Sequence, residues 1–348
     1  MASPSAAELH GYSLIDARQQ VWLPYDVERE ATANLRPLHE CQATQHAGRQ
    51  PFRLDHGRLR ALHVLNGMGV ALGDSIIGIS ALAWLKAHHP DLHIHLYRAR
   101  HAPRYVEALY QLASPLLQQV HYLPQPMPRL DVDAALVDLA DIVYWPQFDD
   151  TPMIDFFLSG LGIDPARVPA ASKTNDWLQS FDLPLTAKPW RHNAYLLFCP
   201  RASVPLRSIP QAVQHTLVEQ LWQHYQLPVL GFEPLHHPHY YNVAALSPDT
   251  FHFLSWVRDA SLLVSTDTAA VHAAAGFGIP TLAGFVSIAP WLRTRDYPLC
   301  HSLDLRLPEL NGLHHSDDKA LEQLAVHQWR DGMSPDALKQ VKPRSVHR

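Results

Sequence analysis

The stretch "SLLVSTDTAAVHAAAGFGIPTLAGF", Ser261 to Phe285, decides the fold. Its apolar start reads as a buried strand, "TAAVHAAAGFG" as a short helix stopped by Pro280, and "PTLAGF" as the next strand. Two apolar strands joined by one helix call for a parallel pair with a right-handed crossover. The first turn of such a helix offers free N–H groups and the positive end of its dipole, a ready seat for a phosphate. Asp267 or Thr268 caps that turn, His272 lies about one turn on, and Ala269, Ala270 and Ala273 to Ala275 let a ligand and a neighbouring strand approach closely. A plain capped helix competes for the same residues.

Outward from this stretch the alternation continues. "NAYLLFCP" and "LPVLGFE" read as strands, "IPQAVQHTLVEQLWQHY" as a helix opened by Pro210, and "FHFLSWVRDA" as a helix before Ser261. In the first half, "LHVLNG", "LHIHLYRA", "VHYLP" and "DIVYWP" alternate with helices over Gly73 to His88, "RYVEALYQLA" and "MIDFFLSGLGI". Asp164 to about Trp190 is polar and Pro-containing and reads as an interdomain linker. Residues 1–58 show no clean period and read as an extension that packs on a domain, followed by one Rossmann-like domain over 59–185 and another over 186–348. In such folds ligands bind beyond the carboxyl ends of the strands, so the loops after Leu65, Phe198, Leu230 and Val264 are where chemistry is expected.

Composition narrows the class. Twenty-eight Lys and Arg against 33 Asp and Glu give a formal charge of -5, which argues against broad nucleic-acid binding. Three distant cysteines with no CxxC spacing indicate neither a disulfide framework nor a cysteine zinc site and favour a reducing cytoplasm. The start "MASPSAAELHGYSLIDARQQ" lacks a basic region and an apolar core, and no run approaches the roughly 20 apolar residues of a spanning helix. The expectation is a cytoplasmic protein, at most peripheral at the inner membrane face. Twenty-four histidines invite a metal reading, above all His236, His237 and His239 in "HHPHYY" and His93 and His95 on one strand face. No Cys or carboxylate completes a tetrahedral set at a recognisable spacing, so no metal is expected.

Two sites carry the chemistry. "NGMGVALGDS" has Gly67, Gly69 and Gly73 in the turn after the first strand, with Asp74 opening the helix. A carboxylate there is either a cap or, at the mouth of the sheet, a general base for an acceptor hydroxyl. "YRARHAPRY" gathers Arg98, Arg100 and Arg104, which form either a solvated face or an acceptor site for a phosphorylated or acidic glycolipid.

Taken together these segments resemble the heptosyltransferases of glycosyltransferase family 9. The family's Gly-Asp at the start of the first helix matches Gly73 and Asp74; its Asp-Thr-Gly, His, Ala-rich run and Pro match Asp267, Thr268, His272, the Ala run and Pro280. "CPRASVPLRSIP" lines up with a loop of small hydroxyl residues, Lys, an aromatic and Pro, through Ser203, Arg207 and Pro210, and Glu233 in "LGFEP" matches a ribose-binding glutamate. The resemblance runs from about Leu62 to Tyr297. It departs at Ala269, which replaces Gly, at Arg207 and Ile209, which replace Lys and the aromatic, and at "GFVSIAP" over 284–290.

The resemblance implies an α/β chain in the GT-B arrangement, two Rossmann-like domains facing one another across a cleft, with a carboxy-terminal helix near "DKALEQLAVHQW" crossing back. It implies an inverting, metal-independent glycosyltransferase without a cofactor, using a nucleotide sugar, ADP-heptose, on a lipopolysaccharide-core or other glycan acceptor. Asp74 is the implied base. Ser203, Arg207, Glu233, Asp267, Thr268, Ala269 and His272 are the donor-side residues, with His272 read as packing or orienting, and Arg98, Arg100 and Arg104 lie on the acceptor side. Two alternatives stand beside it: a protein side chain as acceptor, docked by residues 1–58, or a nucleotide-sugar-binding subunit without turnover.

Overall fold

The computed structural model describes residues 11–345 apart from 31–33, 42, 128, 141 and 146. The chain divides into two compact units, Met1–Lys173 and Thr174–Arg348.

The first unit contains a four-stranded parallel sheet in the order β6-β5-β4-β8, with β4 Ala61–Leu65, β5 His93–Ala99, β6 Gln119–Leu123 and β8 Ala134–Asp138. Numbered within the unit this is 3-2-1-4, so the chain reverses direction between β4 and β8 and leaves a crevice at their carboxyl ends. Helices α2 Leu72–His88 and α3 Arg104–Leu112 follow β4 and β5, α4 Met153–Gly160 follows β8, and α2 packs on both of the others.

The other face has a different cover. β1 Leu14–Ile15, β2 Gln20–Trp22, β3 Arg36–Pro37 and β7 Gln125–Pro126 form an antiparallel sheet ordered β3-β1-β2-β7, and the single turn α1 Pro24–Val27 follows β2. Ile15, Val21, Leu23 and Leu38 close a core with Leu65, Tyr97, Leu123 and Leu136 of the parallel sheet. The amino-terminal extension therefore supplies the layer that crossover helices supply in an ordinary doubly wound unit. Two buried carboxylates pin it to the carboxyl edge. Asp138 accepts from the Ser13 N–H and hydroxyl, both at 2.8 Å, and Asp26 accepts from the Arg100 and His101 N–H groups at 2.9 and 3.0 Å.

The second unit is a six-stranded parallel sheet ordered β11-β10-β9-β12-β13-β14. The strands are β9 Leu196–Cys199, β10 Val229–Gly231, β11 Tyr240–Asn242, β12 Leu262–Thr266, β13 Thr281–Phe285 and β14 Cys300–Asp304. Within the unit this is 3-2-1-4-5-6, with the switch point between β9 and β12. Helices α5 Gln211–Tyr225, α6 Thr250–Asp259, α7 Ala269–Phe277, α8 Trp291–Thr294, α9 Lys319–Gly332 and α10 Pro335–Leu338 complete it. β9, β12 and β13 are buried at every position, as strands covered on both faces must be. Gly284 leaves room for the fully buried Trp329 of α9, and α9 packs on α5.

Three expectations need correction. The unit boundary falls at 173/174 and not at 185/186, because Asn175 donates to the His272 carbonyl at 3.0 Å and Gln179 to the Gly276 carbonyl at 2.6 Å, tying this segment to α7. "DIVYWP" is no strand: Asp141 and Pro146 lie outside the described residues, and Ile142–Tyr144 make a 3₁₀ turn. The fourth strand is instead "AALVD", one segment earlier. α2 begins at Leu72 with Ala71 as its cap residue, so Asp74 is the third helical residue and not the one that opens the helix.

Candidate functional site

At the switch point of the second unit, β12 delivers Asp267 and Thr268 while the loop after β9 delivers Ser203 and Arg207. Thr268 is the N-cap of α7, its hydroxyl accepting from the Ala270 N–H at 3.3 Å and lying 2.9 Å from the Ser265 hydroxyl. The cap is thus Thr268, and Asp267 is released for other work. Its carboxylate, 8 % exposed, takes Arg207 Nη1 at 2.8 Å, and Arg207 Nη2 donates to the Ser203 hydroxyl at 2.7 Å. The Thr266 hydroxyl donates to the Arg207 carbonyl and fixes that turn on β12. Burial alone would raise the Asp267 carboxyl, but the Arg293 and Arg207 guanidiniums hold it below its ordinary value, so it is ionised at neutral pH.

Thr268 and Ala269 remain partly exposed at the first turn of α7, whereas His272 is buried at 4 % exposure. Its Nδ1 lies 2.9 Å from the Tyr297 hydroxyl, which itself receives Asn175 Nδ2 at 2.8 Å. Tyr297 therefore donates to Nδ1, which leaves the ring proton on Nε2. Burial pushes the ring down to about 4, so His272 is neutral at pH 7. This corrects its grouping with the donor contacts: it orients α7 from inside the unit.

Glu233 follows β10 and pairs with the exposed Arg201 at 3.6 Å. Both line a cavity of about 460 Å3, together with Leu206, Ile209 and Gln211 from the β9–α5 segment and Glu322 of α9. Arg201 was not among the residues expected.

In the first unit the loop between β4 and α2 runs through left-handed backbone at Asn66, Met68 and Gly69. Gly69, φ +70°, lies against Asp74, which is half-buried at the carboxyl edge. Arg98 holds this loop. Its guanidinium donates to the Gly67 and Gly69 carbonyls, makes a bidentate pair with Glu107 through Nε and Nη2 at 2.8 and 2.6 Å, and stacks 3.5 Å over the Tyr110 ring. At 1 % exposure it has no face for a ligand, so the expectation of Arg98 as an acceptor contact is corrected to that of a positioning residue. Arg100 pairs with Glu30 of the extension at 2.5 Å, and Arg104 is exposed at the start of α3.

Several of the histidines pack against neighbouring side chains. His239 stacks on Trp222 at 3.5 Å, His237 lies 3.1 Å from Glu219, and His63, His95 and His121 stack across β4, β5 and β6. Among the described residues no three His, Cys, Asp or Glu side chains come together as ion ligands. No described helix is long and apolar enough to cross a membrane.

No protein-family model matches the chain, and neither does any curated protein. Solved structures do. The heptosyltransferase TibC, dodecameric, iron-containing and in complex with ADP-D-beta-D-heptose, superposes with a TM-score of 0.51 at 12 % identity over 83 % of this chain and 76 % of its own. The fold is heptosyltransferase-like. E. coli heptosyltransferase WaaC with ADP gives 0.47 at 11 % identity over 80 % of this chain and 96 % of its own. The family 9 glycosyl transferase of Veillonella parvula gives 0.47 at 12 % identity over 72 % and 86 %. In this heptosyltransferase-like fold, Ser203, Arg207, Asp267 and Thr268 converge at one switch point, and Asp74 stands at the other.

Proposed function

We propose that the protein is an inverting glycosyltransferase that takes a heptose from an ADP-activated donor. One observation carries the reading: a guanidinium, a hydroxyl and the first turn of a helix meet at the 3-2-1-4-5-6 switch point, the arrangement that receives a diphosphate. Asp74 takes the proton of the acceptor hydroxyl as its oxygen attacks the anomeric carbon, the bond from that carbon to the diphosphate breaks with inversion, and ADP departs with the electron pair. Arg207, Ser203 and the N–H groups of Thr268 and Ala269 meet the charge on the leaving group. Asp267 contacts sugar hydroxyls and Glu233 the ribose. TibC is iron-containing; no step above is routed through a metal.

A lipopolysaccharide-core or other glycan is the acceptor of first choice, with Arg104 and Arg100 at the edge it approaches, and the protein works at most peripherally at a membrane. A protein side chain is the second reading, favoured by the extension, whose Asp26 and Glu30 build that edge around Arg100 and His101.

A thermal-shift screen of nucleoside diphosphates and nucleotide sugars tests the donor, since a ligand at about 100 times its Kd adds about 2.7 kcal/mol of stability. ADP and ADP-heptose are expected to stabilise the protein most. Silence to every nucleotide rejects the proposal. Slow hydrolysis of ADP-heptose without acceptor separates an enzyme from a binding subunit.

A further inference from the structure

The loop that precedes Asp74 is held from inside by its carbonyls. Three successive ones, at Gly67, Met68 and Gly69, each accept from a buried side chain. Arg98 donates to the first and the third. Tyr110, 2 % exposed on α3, places its hydroxyl 2.9 Å from Ser75 Oγ and 3.2 Å from the Gly67 carbonyl, and the Ser75 hydroxyl gives its own proton to the Met68 carbonyl at 3.2 Å. Burial pushes the Tyr110 hydroxyl up to about 12, so it keeps the proton it donates.

This hold is directed at one face of α2. Asp74 and Gly78 are four residues apart and so lie on the same side of the helix. Met68, fully buried, packs where Gly78 has no side chain, since a Cβ there would meet the Met68 Cβ at 2.6 Å. Gly69 lies against Asp74 itself, a Cβ at that position standing 3.5 Å from the Asp74 Cβ and 3.6 Å from its Oδ2. Asn66 and Met68 are in left-handed backbone at φ +52° and +62°, which residues other than glycine keep only where the surroundings enforce it. The wall beside Asp74 is therefore a strained loop, and the hydroxyl pair behind it helps to enforce its shape.

We infer that Tyr110 is a positioning residue for Asp74, acting through Ser75 and the Gly67 and Met68 carbonyls to fix the loop against which the carboxylate rests. This rests on the reading of Asp74 as the base and adds to it a group that aims it.

Tyr110→Phe tests it. The variant keeps the ring on which Arg98 stacks, Gly67 keeps Arg98 and Ser75 keeps Met68, so none of these groups loses its last partner. The reaction is read as ADP released from ADP-heptose with water as acceptor, which calls on the same base. Its kcat is expected to fall about fivefold, the worth of one neutral hydrogen bond, with the KM for ADP-heptose and the affinity for ADP unchanged. Hydrogen–deuterium exchange over residues 66–74 is expected to rise as the loop loosens. In an Asp74→Asn background, where the residual reaction no longer uses the base, the same change is expected to cost nothing further. A parental kcat in Tyr110→Phe, or parental exchange in the loop, overturns the inference and leaves the reading of Asp74 standing. A fivefold loss that recurs in the Asp74→Asn background overturns it too, since Tyr110 would then act on something other than Asp74. A parent protein that releases no ADP, or an Asp74→Asn variant that releases it at the parental rate, overturns both.

Discussion

Acid should loosen the first unit as pH falls below about 6.5, and His63 sets the size of the effect. Its ring sits in the interior of the sheet, 2.9 Å from the Tyr97 hydroxyl and stacked 4.7 Å from His95. Burial, then the neighbouring His95 and His121, push it down from 6.5 to about 4. A histidine whose folded value is depressed stays neutral in the folded chain while the unfolded chain takes up a proton. Its contribution is complete above pH 6.5, is lost as pH falls toward 4, and changes no further below that. With these two values the loss between pH 7.5 and 5 is about 2 kcal/mol, and it approaches about 3 kcal/mol at full titration. His95 and His121, both lowered first by burial, act in the same direction. Urea unfolding followed through probes of the first unit at pH 7.5, 6 and 5 measures the loss as a falling midpoint at constant slope. His63→Gln, which removes the titration, should flatten the fall by about 2 kcal/mol while starting from a lower stability at pH 7.5. An identical pH dependence in parent and variant would refute the argument, because the proton taken up on unfolding would then not be the one His63 refuses.

The remaining predictions concern the sites. Asp74→Asn should fold and answer to ADP as the parent does while transfer falls about 100-fold or more, since it removes a base and keeps the shape at the third helical position; parental turnover would reject Asp74 as the base. Ala269→Glu should abolish the thermal shift with ADP while the ligand-free melting temperature is unchanged or raised, because an acid in the first turn suits the dipole of α7 but repels a diphosphate; a retained shift would return α7 to a plain capped helix. Arg98→Leu leaves Glu107 without its counterion and the Gly67 and Gly69 carbonyls without their donor, so denaturation of the first unit should move by about 3 kcal/mol or more and transfer should fall. Donor binding should not change. Dialysis against a chelator should leave transfer intact, and loss restored by iron would overturn the metal-free scheme.

What was legible in the sequence divides along the range of the interactions. β9, β12 and β13 could be read because a strand covered on both faces is apolar throughout, and each is bounded by Pro or by a helix cap a few residues away. The same local grammar located Asp267 and Thr268, while Arg207 came from the family resemblance; a short loop and one helix turn bring the three together. The extension could not be read so. Its strands are two or three residues long and pair antiparallel, one of them with Gln125–Pro126 about a hundred residues away, so no period exists within any one segment. The unit boundary was misplaced for a related reason: Asn175 and Gln179 look like linker residues until their partners on α7 are known.

Arg98 is different, because its signal was present. In "HIHLYRA" Ile94, Leu96 and Arg98 alternate onto one face, and the first two are fully buried. The register therefore sends the guanidinium inward, where it needs an acid, and Glu107 stands nine residues on in α3. Arginines grouped by nearness in sequence suggested one surface, whereas the strand ends at Ala99 and the exposed Arg104 opens the following helix.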